Sequence, residues 1–193
     1  MSSLAQKQDE RAFTYADYKE WELAEGERFE LINGEAYAMS SPNERHQAIL
    51  MELSAQIHVF LRDKPCKVYP APFDVRLFYE EDESDDTVVQ PDIMVICDEK
   101  KLGSEGCRGA PDLIVEILSP SNTAIEMERK LKLYRQAQVR EYWVVDPVNK
   151  GLTVYFLQDG TDRTINGKTY GSADIVPVTV LPGLEINLEQ IFA

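Results

Sequence analysis

Apolar residues recur at helical spacing in NERHQAILMELSAQIHVFLRDK, residues 43–64, where His46, Ile49, Leu50, Leu53, Ile57, Phe60 and Leu61 share one face. The spacing predicts a long amphipathic core helix. Three segments with strand character follow: CKVYPAPFDVRLFY, TVVQPDIMVIC and, after a Gly-rich connection, PDLIVEILS. NTAIEMERKLKLYRQAQ then reads as a helix capped by Ser121 or Asn122, and REYWVVD with GLTVYFL as a hairpin around Pro147 to Gly151. Ahead of the long helix, TYADYKEWELAEG reads as a short helix, with Thr14 and Asp17 spaced for a capping box and Gly26 as its stop. RFELINGEAYAMS reads as a hairpin turning at Asn33-Gly34. The tail LPGLEINLEQIFA suits a short strand or turn and a small terminal helix. Strand runs with helices to one side predict an α+β (mixed α/β) domain, with Tyr142 and Trp143 as core packing.

Composition sets bounds on this picture. A chain of 193 residues suffices for one domain with a real core, and 1–193 is read as a single domain. Hydrophobic residues at 44% and charged residues at 28% are close to ordinary globular usage and favour neither a disordered nor a fibrous class. Cys66, Cys97 and Cys107 are odd in number and have no CxxC or Cys/His spacing, which argues against a disulfide framework or a zinc site. That favours a reducing, cytoplasmic setting. The polar opening MSSLAQKQDER has no long apolar run behind it, so neither a signal peptide nor membrane association is expected. The net charge of -14 has the wrong sign for holding nucleic acid by phosphate neutralisation. A local basic patch, or a divalent cation on a carboxylate cluster, would reverse that sign locally. Much of the excess sits in YEEDESDD, residues 79–86, read as a solvated loop.

One carboxylate breaks the apolar pattern. Glu116 stands among Leu113, Ile114, Val115, Ile117 and Leu118, where an unpaired ion would cost several kcal/mol, an order-of-magnitude burial penalty. Strand alternation puts Asp112, Ile114, Glu116 and Leu118 on one side, and in the preceding strand Asp92, Met94 and Ile96 share a side. If the two strands are neighbours, Asp92 and Glu116 converge. One must then be protonated, or a cation must lie between them. With oxygen donors only, Mg2+ or Mn2+ is the natural ion. In the next helix, Met127, Lys130, Tyr134 and Ala137 form one stripe, which points Lys130 toward the sheet, while Lys132 is rotated by about 200° toward water. Paired carboxylates, a divalent ion and a lysine suit metal-assisted hydrolysis of a phosphate ester.

VVQPDIMVI, PDLIVEILSPSN, the lysine four residues before the tyrosine in ERKLKLY, and REYWVVD together resemble the Uma-type restriction endonuclease family, a branch of the PD-(D/E)XK nuclease superfamily. The likeness extends through RFELINGEAYAMSSPNERHQ and LPGLEINLEQIF to nearly the whole chain. It implies a restriction-endonuclease-like core, a central mixed β-sheet flanked by helices. It also implies Asp92 and Glu116 as metal carboxylates, with Glu30 completing the acidic cluster and His46 close behind it. The superfamily lysine lies two residues after the second carboxylate, a place held here by Leu118; the family moves it to the next helix, where Lys130 matches. Glu126 stands where the family usually has aspartate. The implied activity is Mg2+-dependent cleavage of DNA phosphodiester bonds, with Asp92, Glu116 and Lys130 catalytic, and a homodimer is compatible with meeting two strands.

Structural readings compete with this one. Asp112 after Pro111 is taken as a turn residue at a strand start, and Glu116 has an alternative role as the buried partner of Lys130 or Arg129. At the level of function, the alternative is a nuclease-fold module that has lost turnover and serves in binding or assembly.

Overall fold

The structure, a computed structural model, describes residues 11–120, 122–158 and 167–193. The chain runs α1 (Tyr15–Lys19), β1 (Phe29–Ile32), β2 (Glu35–Ala38), α2 (Glu44–Leu61), β3 (Lys67–Pro70), β4 (Val75–Arg76), β5 (Val88–Val89) and β6 (Ile93–Ile96). After a single 3-10 turn at Glu99–Lys101 come β7 (Leu102–Gly103), β8 (Gly106–Arg108), β9 (Leu113–Ile117), α3 (Ala124–Gln136), β10 (Glu141–Asp146) and β11 (Gly151–Phe156). β12 (Gly167–Gly171), β13 (Ile175–Pro177), β14 (Glu185–Asn187) and α4 (Leu188–Ile191) complete it.

Two six-stranded sheets carry the architecture. The central one has the order β12-β11-β10-β9-β6-β3 and is mixed: β9 and β10 run parallel, and the remaining pairs are antiparallel. The other has the order β2-β1-β5-β4-β8-β7. Burial follows the pleat. Leu113, Val115 and Ile117 face a core built with Ile49, Leu53 and Ile57 of α2, while Met94, Ile96 and Ile114 face Val75 and Val89 of the second sheet and Leu133 and Tyr134 of α3. Trp143 and Tyr142 are both buried, on opposite faces of β10.

Several elements form as their sequence predicts. Asn33 (φ 50°) and Gly34 (φ 77°) take the left-handed pair that a two-residue hairpin turn requires. At Gly34 a Cβ would lie 2.5 Å from the Ala12 side chain, so only glycine fits. Asn43 caps α2 by accepting from the His46 amide at 2.9 Å.

Other elements depart from expectation. α1 stops at Lys19 rather than near Gly26, because Trp21 turns back to pack on Phe13, Tyr18 and Phe29. Two of the long strand segments are divided between the sheets. The first enters the central sheet as β3 and the second sheet as β4; the next does the reverse, as β5 and β6. Both divide at proline-containing links, Ala71-Pro72-Phe73 and Gln90-Pro91-Asp92, where a missing N–H ends the ladder. The Gly-rich connection forms the β7–β8 hairpin. α3 is capped by Thr123, not Asn122, and Ser121 lies outside the described residues. Thr123 and Glu126 form a reciprocal capping box, which gives Glu126 a structural task. The cysteine reading is also corrected. Cys66 and Cys97, 31 residues apart in sequence, meet across the β3–β6 pair and are joined by a disulfide, leaving Cys107 free and buried. Their pairing arises from strand adjacency that spacing alone does not reveal. Among the described residues, no helix is long and apolar enough to cross a membrane.

Candidate active site

β6 and β9 are antiparallel neighbours, with Ile93 opposite Val115 and Met94 opposite Ile114. Each strand is preceded by Pro-Asp, and the two aspartates do the same structural task at opposite ends of the pair. Asp112 Oδ2 accepts from the Cys97 amide at 2.8 Å, and Asp92 Oδ2 accepts from the Ile117 amide at 2.7 Å. Asp112 further pairs with Arg140 at 3.1 Å. The Asp92 end opens on a cavity.

That cavity, of about 250 Å³, is lined by Glu30, His46, Asp92, Glu116 and Lys130 among others. Glu116 projects from β9 toward α3. There Lys130 Nζ donates to its Oε1 at 2.9 Å, and the Tyr134 hydroxyl donates to the same oxygen at 2.6 Å. Lys130 also donates to Glu30 Oε1 at 3.2 Å, and the Gln90 amide donates to that oxygen at 3.1 Å. His46, in the first turn of α2, places Nε2 3.2 Å from Asp92 Oδ2. Lys132 points away, 2.6 Å from Glu128 and exposed, as the stripe predicts. The apolar strand thus delivers its one acid to an ammonium and a phenol.

Burial pushes the Glu116 carboxyl above the usual carboxylate range; Lys130 draws it down, and Asp92 and Glu30 add to the rise. Burial alone would lower Lys130, but Glu116 and Glu30 outweigh it and hold the amine firmly as ammonium. For His46, burial opposes charge, yet Asp92, Glu116 and the Ile117 carbonyl raise the imidazole above its ordinary value. Each carboxylate commits one oxygen to the bonds just described: Glu30 Oε1, Asp92 Oδ2 and Glu116 Oε1. The second oxygens carry no hydrogen bond among the described residues and are not among the buried unpartnered polar atoms. They therefore remain open to the cavity.

The family model described as "Putative restriction endonuclease", Uma2, matches residues 15–189. The chain belongs to the Uma2 family. Two curated relatives come from Synechocystis sp. (strain ATCC 27184 / PCC 6803 / Kazusa). The chain is similar to the uncharacterized protein slr1290, 26% identical over 150 residues that cover 77% of this chain and 76% of the relative. It is 29% identical to the uncharacterized protein sll1609 over 139 residues, 70% of this chain and 76% of that one. Among solved structures, this Uma2 chain resembles a protein from Anabaena variabilis ATCC 29413 described as "a putative nuclease belonging to DUF820". The TM-score is 0.74 at 20% identity, covering 93% of this chain and 97% of the other. The Uma2 fold is accordingly α+β and restriction-endonuclease-like, with mixed sheets flanked by few helices.

Sequence reasoning passed over three contributors to this site. Tyr134 was legible on the Lys130 stripe, one turn further along α3, but as packing rather than as a donor to Glu116. Gln90 acts through its backbone amide, which no side-chain pattern reports. Arg28, one residue before β1, lines the same cavity.

Proposed function

We propose that this protein is a Mg2+- or Mn2+-dependent endodeoxyribonuclease in which Asp92 and Glu116 hold the ion and Lys130 positions the attacking water. One observation carries the reading: the ammonium of Lys130 rests on Glu116 inside the cavity that Asp92 also lines. The family and the solved neighbour support nuclease chemistry in general.

The donor set suits such an ion. The cavity acids offer only hard oxygens, each with one oxygen open, and Mg2+ is commonly held by one or two carboxylates plus water and substrate phosphate. A full protein cage is not needed, in keeping with the absence of any group of three or more His, Cys, Asp or Glu at ligating spacing among the described residues. When bound, the ion would supply Lewis-acid polarisation of the phosphoryl oxygen. The chain's own groups do the rest. Asp92 is fixed by the Ile117 amide and His46, so its second oxygen is aimed without rotamer search. Lys130, kept protonated, orients a water and stabilises charge building on the phosphate rather than accepting a proton. Glu30 holds Lys130 from the far side and completes the acidic cluster.

A second reading, a nuclease-fold binding or assembly module without turnover, is favoured by Lys130 being held between two carboxylates, as in a purely structural ion pair. Cleavage of plasmid and single-stranded DNA with Mg2+ or Mn2+ separates the two. Loss of cutting in Glu116→Ala or Lys130→Ala with circular dichroism unchanged supports catalysis. No cutting by pure wild type on either substrate refutes it in favour of the module.

A further inference from the structure

The cavity's upper wall is unlike the rest of this acidic chain. Along the β1–β2 hairpin, Glu30 pairs with Tyr37, and the Arg28 carbonyl accepts from the Met39 amide, so Arg28 and Tyr37 belong to the wall that carries Glu30. Opposite, α3 presents Glu126, Arg129 and Lys130 at i, i+3 and i+4, all lining the cavity. The Arg129 guanidinium lies over the Tyr37 ring, 4.1 Å from its centroid, and the Tyr37 hydroxyl is held by Glu35. This stacking fixes the plane of the guanidinium while leaving its N–H groups to point elsewhere. Glu126, three residues before Arg129 on the helix, spends its carboxylate on the Thr123 cap, and Glu128 pairs with Lys132. Neither Arg28 nor Arg129 makes a salt bridge or side-chain hydrogen bond among the described residues. Two half-buried guanidinium groups thus keep their donors at the mouth of a cavity floored by carboxylates.

We infer that Arg28 and Arg129 form a phosphate-binding subsite that grips the polynucleotide backbone beside the bond presented to Asp92 and Glu116. The inference rests on the nuclease reading for the identity of the polymer, but not on turnover. Guanidinium groups match phosphate oxygens in bidentate geometry, and a stacked guanidinium loses little freedom on binding. The subsite also answers the charge objection. The cavity lining sets Arg28, Arg129 and Lys130 against Glu30, Asp92, Glu116 and Glu126, close to balance in a chain of net charge -14. A bound divalent cation would make that lining attractive to a polyanion.

Fluorescence anisotropy of a short labelled oligodeoxynucleotide, single-stranded and duplex, tests this with Ca2+ in place of Mg2+ and the probe checked for integrity. Arg28→Gln and Arg129→Gln should each weaken binding about tenfold, the scale of a lost charged hydrogen bond. Each should also reduce the slope of log affinity against log salt by about one over roughly 50 to 200 mM. Arg62→Gln, at the far end of α2, supplies an equal charge loss and should change neither quantity. Arg28→Lys and Arg129→Lys should keep the slope but still weaken binding, which covers the case of a Gln variant that misfolds. The subsite is overturned if the arginine variants match wild type, if Arg62→Gln matches them, or if wild type binds neither probe. DNA cutting in the parallel Mg2+ assay despite unaltered arginine variants would leave the nuclease reading standing. Arginine-dependent binding without cutting would do the reverse.

Discussion

Replacing Lys130 with methionine removes one ammonium from between two buried carboxylates and keeps most of the side-chain volume. Lys130 lies 2.9 Å from Glu116 and 3.2 Å from Glu30, and the three side chains are only 19, 13 and 6% exposed. At an effective dielectric near 20 each contact is worth on the order of 5 kcal/mol before desolvation, and desolvation takes back much of that. Removing one partner strands the others, so Lys130→Met should lower stability by about 3–5 kcal/mol, or about 6–20 °C in Tm for a chain of this size. Urea unfolding followed by circular dichroism at pH 7 measures it. Near pH 4 the loss should shrink: the Glu116 carboxyl, which burial raises to about 7, is already protonated in the fold there, and its penalty fades as the unfolded chain, at about 4.3, takes up the same proton. Adding Glu116→Gln to Lys130→Met should restore part of the loss, with a coupling of about 1–3 kcal/mol in the double-mutant cycle. A Lys130→Met stability within about 0.5 kcal/mol of wild type, the range of an uninvolved surface site, would refute the reasoning, as would strict additivity in the cycle.

Asp85→Ala should lose about 3–5 kcal/mol on denaturant titration, since it strands the Arg76 guanidinium that Asp85 holds through two buried contacts; a change below about 1 kcal/mol counts against that pairing. Glu141→Gln should destabilise by about 1–3 kcal/mol, because the carboxylate accepts from Trp143 Nε1 at 2.7 Å and from the Val180 amide at 3.0 Å, and an amide nitrogen cannot accept in place of the second oxygen. Burial raises the Asp74 carboxyl, so its penalty is absent below the unfolded pKa near 3.9 and grows as pH climbs through the folded value. Asp74→Asn, which can still accept from Gln90 and Tyr18 through Oδ1, should therefore match wild type at low pH and gain on it toward pH 7; parallel stability profiles would sink this expectation. The Cys107 thiol is buried and pushed up to about 12, so native protein should resist iodoacetamide at pH 8; unfolding should expose one reactive thiol without reductant and three with it, counted by mass.

The site was legible in the sequence wherever a periodic element carried it. Alternation in PDLIVEIL placed Glu116 on the face shared with Ile114, and the α3 stripe turned Lys130 toward it and Lys132 away. Asp92 could be placed because β6 and β9 follow one another and pair directly. What stayed hidden was non-local. No local signal reveals that CKVYPAPFDVRLFY and TVVQPDIMVIC each pass between two sheets, or that Cys66 and Cys97 thereby come face to face. Backbone donors such as the Gln90 and Ile117 amides, which hold Glu30 and Asp92, leave no trace in residue type. β12 was missed because Gly-Lys-Thr-Tyr-Gly has little apolar alternation and is held mainly by the β11 edge.

The reciprocal bonds between Thr123 and Glu126 have a consequence beyond the end of a helix. A lysine borne on a strand inherits its aim from the neighbouring ladder, whereas one borne on a helix has only rotational phase to guide it. One residue of slippage at the start of α3 would swing every later side chain by about 100° and displace it by about 1.5 Å along the axis. The first turn therefore works as an indexing pin: it clocks the cylinder so that the ammonium seven residues onward arrives at Glu116 instead of sweeping past it.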